Sequence, residues 1–128
     1  MNTEVRSKVN ILLVDDQPAR LLSYEAILQD LGQNLVTARS GLEALERLMQ
    51  QEFAVVLLDV SMPGMDGFET AERLERASGA KHSAILALTG NADLRDAALR
   101  DPRFTASLLK PADPGRLLVL LSSLVPRH

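Results

Sequence analysis

The chain contains no cysteine and no tryptophan, and its aromatic complement is one tyrosine and three phenylalanines. Without cysteine there is no disulfide scaffold and no thiolate zinc site. With so few rings, the core must be aliphatic, built from Leu, Val, Ile and Ala. Histidine is scarce too, with only His82 and His128, which argues against a soft-metal centre. Basic charge is not in excess: 14 Lys and Arg stand against 17 Asp and Glu, and no Lys/Arg cluster supplies the cationic face that nucleic-acid binding requires. No apolar run approaches the ~18 residues of a membrane span, and MNTEVRSKVN at the start lacks the pattern of a signal peptide. The expectation is a soluble cytoplasmic protein with neither nucleic acid nor membrane among its partners.

What is present suits one compact unit. At 128 residues, with 46% hydrophobic and 24% charged residues, the chain has the size and balance of a single globular domain, residues 1–128 with a core over about 9–124. Five short apolar runs, Val9–Val14, Leu35–Ala38, Phe53–Leu58, Ala84–Leu88 and Ser107–Leu109, are mostly continuous, as in strands buried on both faces of a parallel sheet. Helical spacing separates them. It is marked by Leu21, Tyr24, Leu28 and Leu31, then by Leu42, Leu45, Leu48 and Met49. Phe68, Ala71 and Leu74 follow, then Leu94, Ala97 and Ala98, and finally Leu117, Leu120, Leu121 and Leu124. Ser40 with Glu43, and Asp66 with Glu69, have capping-box spacing; Pro18 and Pro114 suit first-turn positions, and Gly32 a helix end. Strand and helix alternate five times, so the expected class is α/β: a doubly wound parallel sheet with helices on both faces.

In such sheets ligands sit beyond the carboxyl ends of the strands. The first run ends in Asp15-Asp16, the third in Asp59, the fourth in Thr89 and the fifth in Lys110-Pro111. Singly, each has a plain structural reading as a cap, a turn residue or a solvated lysine. Jointly, they bring three carboxylates, a hydroxyl and an ammonium to one edge. Crowded carboxylates require a cation, and hard oxygen ligands suit Mg²⁺. A cation beside a Lys and a Thr stabilises the oxygens of a phosphoryl group in transfer, and an Asp at the centre can serve as nucleophile.

The segments Ile11–Asp16, Val55–Gly67, Leu88-Thr89 and Leu109-Lys110-Pro111 together resemble the receiver domain of two-component response regulators, over roughly Val9 to Leu124. The resemblance implies a flavodoxin-like sheet of order 2-1-3-4-5 and a signalling switch rather than a metabolic enzyme. It implies Asp59 as phosphoacceptor, and Mg²⁺ (with Mn²⁺ as substitute) held by Asp16, Asp59 and the Ser61 carbonyl, with Asp15 acting through water. It implies Lys110 and Thr89 as phosphoryl partners, Thr89 as a moving switch residue, and a cis peptide bond before Pro111. Met62-Pro63-Gly64-Met65 would form the turn after the acceptor. Ser61 and Asn91 fall where the family tunes the lifetime of the phosphoryl group. The implied donor is a histidine kinase or a histidine phosphotransfer protein, and the implied output is contact with a downstream protein.

One departure concerns signalling: the aromatic usual three residues before the lysine is replaced by Ser107. The last helix is apolar around most of its circumference, which suggests a partner surface, a homodimer being one form of it. Two other classes compete with the switch. A haloacid-dehalogenase-like phosphohydrolase wants Asp-x-Asp, whereas Val60-Ser61 follow Asp59; a phosphorylation-independent docking module would not need the acidic pocket. Nucleotide or flavin binding is disfavoured because the turn Asp15–Pro18 lacks a glycine-rich loop.

Overall fold

The computed structural model describes residues 8–61, 67–77, 83–110 and 112–125. The strands are β1 (Asn10–Val14), β2 (Asn34–Ala38), β3 (Val55–Asp59), β4 (Ala84–Thr89) and β5 (Ala106–Leu109). The helices are α1 (Pro18–Leu28, extended by a 3₁₀ turn Gln29–Leu31), α2 (Gly41–Gln50), α3 (Gly67–Arg76), α4 (Ala92–Leu99) and α5 (Pro114–Leu124). All pairings are parallel and the order is β2-β1-β3-β4-β5, as expected.

The sheet divides an aliphatic core in two. Leu12, Val14, Val56, Leu58, Ile85 and Ala87 face one layer with α2, α3 and α4 residues; Ile11, Leu13, Val55, Leu57, Leu86 and Leu88 face the other, with α1 and α5. Both faces being covered explains why β1 and β3 read as unbroken apolar runs. At roughly 25 cal/mol per Å² of apolar area, burial of such strands is the main stabilising contribution.

Several local expectations hold. Pro18 and Pro114 open α1 and α5, and Gly32 ends the 3₁₀ turn with φ 69°, the left-handed region where glycine carries no Cβ penalty. Ser40 Oγ accepts from the Glu43 amide at 3.0 Å, but the return arm of the box lands on Arg39 N rather than Ser40 N. The Asp66–Glu69 box and the Met62–Met65 turn involve positions outside the described residues.

Two helical faces differ from the pattern. In α2 the buried residues are Ala44 and Leu48, while Leu42 and Met49 are exposed. Leu48 of the expected stripe is buried and Leu45 packs partly against the core, while the small Ala44 lets the helix approach the sheet closely and turns Leu42 and Met49 outward. In α5 only Leu117 and Leu121 are fully buried, but Leu118, Leu120 and Leu124 pack partly against the same core; Val119 is the large apolar residue left exposed there. Much of the apolar surplus is thus used within the fold.

Candidate functional site

The C-terminal ends of β1, β3, β4 and β5 converge as the parallel register requires, since Asp59 sits beside Leu88 and Thr89 beside Leu109. Asp15, Asp16 and Asp59 each place a carboxylate oxygen within 4.8 Å of the others. The Asp15 amide is tied to Ala38 O at 3.1 Å, so the tip of β2, which carries no functional side chain, still anchors the acidic loop.

Asp59 is buried and saturated with donors. Its Oδ1 accepts from the Ser61 amide at 2.9 Å and from Ser61 Oγ at 2.8 Å; its Oδ2 accepts from Lys110 Nζ at 2.8 Å. Burial pushes the carboxyl up, but the Lys110 and Ser61 hydrogen bonds and the Lys110 charge more than offset it, holding Asp59 below the usual carboxylate range. It therefore stands ready as an anion.

Asp15 is the opposite case. It is fully buried; Oδ1 accepts from the Gln17 amide at 2.9 Å, and Oδ2 has no hydrogen-bond partner. Burial raises its carboxyl above the ordinary range, the Gln17 amide lowers it, and the Asp59 charge raises it further. A buried carboxylate oxygen without a donor is costly unless a cation neutralises it. Three clustered oxygen ligands with one orphaned atom, and no soft ligand among them, fit a hard divalent cation of the Mg²⁺ type.

Thr89 is fully buried at the end of β4, and its Oγ1 accepts from the Asn91 amide at 3.1 Å; Asn91 in turn caps α4 by accepting from Asp93 N and Leu94 N. Its hydroxyl is thus engaged locally in this conformation. The Lys110 amide donates to Thr89 O at 2.7 Å, which locks the lysine-bearing tip of β5 to β4. Pro111 lies outside the described residues.

Ser107 is buried beneath this edge, and its Oγ has no hydrogen-bond partner. It borders a cavity of about 210 Å³ shared with Arg95, Asp113 and Arg116. An unpaired buried hydroxyl costs about 1–3 kcal/mol. Ser107→Ala is accordingly expected to raise the thermal midpoint by a few degrees, read by circular dichroism, with no change at the acidic cluster.

The sequence reading missed Arg20. Its Nη1 lies 3.5 Å from Asp59 Oδ2 and 3.6 Å from Asp15 Oδ2. The available signal was its position four residues after Asp16, in the first turn of a helix that follows an acidic loop. Also unforeseen is the closeness of Gly67 to Val60, the residue after the acceptor. A Cβ on Gly67 would lie 2.5 Å from Val60 Cβ and 2.6 Å from Val60 Cα.

Comparison with known proteins places this geometry. The chain is 31% identical over 119 residues, 92% of its length, to the signal transduction histidine-protein kinase BarA of Escherichia coli K12. It spans only 9 to 13% of the length of the sensor kinases it matches. Among solved structures it superposes on the Vibrio cholerae chemotaxis protein CheY4 with TM-score 0.81 and 31% identity, covering 93% of this chain and all of that one. The receiver domain of the sensor histidine kinase PA1611 from Pseudomonas aeruginosa, with a magnesium ion coordinated in its active site cleft, gives TM-score 0.79 and 27% identity, covering 92% of this chain and 98% of that one. The family model for the response regulator receiver domain matches residues 11–122, and the chain belongs to that family.

Proposed function

We propose that Asp59 is the phosphoacceptor of a Mg²⁺-dependent signalling switch, and that residues 9–124 act as one receiver unit. The observation that carries this reading is the Asp59 carboxylate, buried yet held anionic by Lys110 and Ser61 beside two further carboxylates. The donor class is a histidine kinase or histidine phosphotransfer protein, consistent with relatives that are themselves sensor kinases.

An Asp59 oxygen attacks the phosphorus of a phosphohistidine; the P–N bond breaks, the imidazole leaves, and an acyl phosphate forms. Asp16, Asp59 and the Ser61 carbonyl would hold Mg²⁺ directly, with Asp15 through a water. The ion, when bound, offsets charge on the phosphoryl oxygens, and Mn²⁺ is the expected substitute. Lys110 is already hydrogen-bonded to Asp59 and stays to pair with the phosphoryl group. Thr89 Oγ1, which accepts from the Asn91 amide in this conformation, would donate its O–H to a phosphoryl oxygen.

With Ser107 in place of an aromatic, output does not run through a swinging ring. It passes through protein contacts at the neighbouring surface, where exposed Val119 on α5 suits a downstream protein or a second copy of the chain. The site lacks the Asp-x-Asp pattern of aspartyl-phosphate hydrolases, which favours a switch over a metabolite phosphatase. Among the described residues no helix is long and apolar enough to cross a membrane, in keeping with work in the cytoplasm.

Incubation with acetyl phosphate tests the reading. With Mg²⁺ the intact mass is expected to gain one phosphoryl group, and with excess chelator it is not. No gain under conditions that label a known receiver would turn the reading toward a phosphorylation-independent docking module.

A further inference from the structure

Arg20 faces the two carboxylates through a single nitrogen, Nη1, at 3.6 Å from Asp15 Oδ2 and 3.5 Å from Asp59 Oδ2. The first of these oxygens is the buried atom that no hydrogen bond satisfies. Among the described residues the guanidinium is the cation nearest to it, yet it stays beyond hydrogen-bond distance of Asp15 Oδ2, and its one hydrogen bond here, to Asp59 Oδ2, is long at 3.5 Å. Lys110, by contrast, is 14% exposed and bonded to Asp59 at 2.8 Å. The Arg20 side chain is 40% exposed and rises from the first turn of α1, so rotation about its own bonds can carry the charge into solvent.

Charge counting shows what this arrangement does. Asp15, Asp16 and Asp59 contribute three negative charges; Lys110 and Arg20 offset two of them. A divalent ion entering among the carboxylates would meet a guanidinium already sharing two of the same oxygens. Like charges a few ångströms apart repel, so the ion and the inward Arg20 disfavour each other.

Resting on the metal-dependent reading above, we infer that Arg20 is a tethered counter-cation: it shields the Asp15–Asp59 edge when no divalent ion is bound, competes with that ion for the edge, and so sets the Mg²⁺ concentration at which the site becomes competent. It is a positioning residue for the metal site, and no bond to it forms or breaks.

The test is Mg²⁺ titration of wild type, Arg20→Gln and Arg20→Lys, without any phosphodonor, by calorimetry and by the emission of Tyr24. Tyr24 is the single tyrosine of a chain without tryptophan, and it is buried on α1 one turn after Arg20. Arg20→Gln is expected to bind Mg²⁺ about five- to tenfold more tightly, while Arg20→Lys, which keeps the charge, stays within about twofold of wild type. Thermal melts supply the readout that a merely structural role would not move. In chelator, Arg20→Gln should melt below wild type, and the gap should close as Mg²⁺ saturates. Equal or weaker Mg²⁺ binding by Arg20→Gln, or a melting gap independent of Mg²⁺, overturns the inference while leaving the proposed function standing. Failure of wild type and both variants to bind Mg²⁺ overturns the metal site itself, and this inference with it.

Discussion

Asp59→Asn yields a folded protein that accepts no phosphoryl group. The substitution is isosteric, and its side-chain oxygen can still accept from the Ser61 amide and hydroxyl, which now bind Asp59 Oδ1 at 2.9 and 2.8 Å. The local turn is therefore kept. What is lost is the anionic nucleophile and the oxygen that Lys110 holds at 2.8 Å. An amide nitrogen there would face the lysine ammonium, donor against donor, so Lys110 loses its ion pair. Relief of repulsion among three carboxylates works the other way. The two effects oppose each other, and the melting temperature should stay within a few degrees of wild type. Labelling by acetyl phosphate or a phosphohistidine donor should be absent, and Mg²⁺ affinity should fall about tenfold or more through loss of one charged ligand. Intact mass and calorimetry check the two halves separately.

The second large effect is steric rather than electrostatic. Gly67→Ala would set a methyl group 2.5 Å from Val60 Cβ, 2.6 Å from Val60 Cα and 2.8 Å from Val60 O. Two of these contacts are with backbone, which cannot rotate out of the way. Gly67 is required here for close approach and not for a left-handed backbone, which among the described glycines only Gly32 adopts. Relief demands that α3 move away from β3 or that Val60 shift. Overpacking of this kind costs about 1–3 kcal/mol, or roughly 4–12 °C in melting temperature for a chain of this size. Since Val60 directly follows Asp59 and its amide donates to Leu88 O at 3.0 Å, the shift also disturbs the acceptor. The expected outcome is a lower melting temperature together with slower labelling. Normal stability and normal labelling would show that the α3–β3 contact has room for a methyl group.

How much of this was legible in the sequence depends on the length scale of the cause. The strands were legible because burial on both faces leaves polar residues only at their ends, Asn10 in β1 and Asp59 in β3, so Ile11–Val14 and Val55–Leu58 read as unbroken runs. Asp15, Asp16, Asp59, Thr89 and Lys110 were legible because a parallel sheet brings its strand ends to one edge regardless of loop detail. The covered face of α2 was legible only in part. Of the expected stripe Leu42, Leu45, Leu48 and Met49, Leu48 is buried and Leu45 packs partly against the core, but Leu42 and Met49 are exposed, and only proximity to the sheet decides for the smaller Ala44. Arg20 was not legible, since an arginine in a first helical turn reads as a solvated surface charge. Its meeting with Asp15 and Asp59 depends on where α1 crosses the strand ends. Ser107 was visible as a departure from the family pattern, but the missing partner of its hydroxyl appears only in three dimensions.

The central claim, that the buried anion at the end of β3 is the phosphoacceptor, is tested most directly by trapping the acyl phosphate. Protein labelled in Mg²⁺ is reduced with borohydride, which converts an aspartyl phosphate to homoserine, and then digested and mapped by mass spectrometry. The account predicts homoserine at Asp59 and nowhere else. Homoserine at Asp15 or Asp16 with Asp59 intact, or label retained on a different residue class, would contradict it.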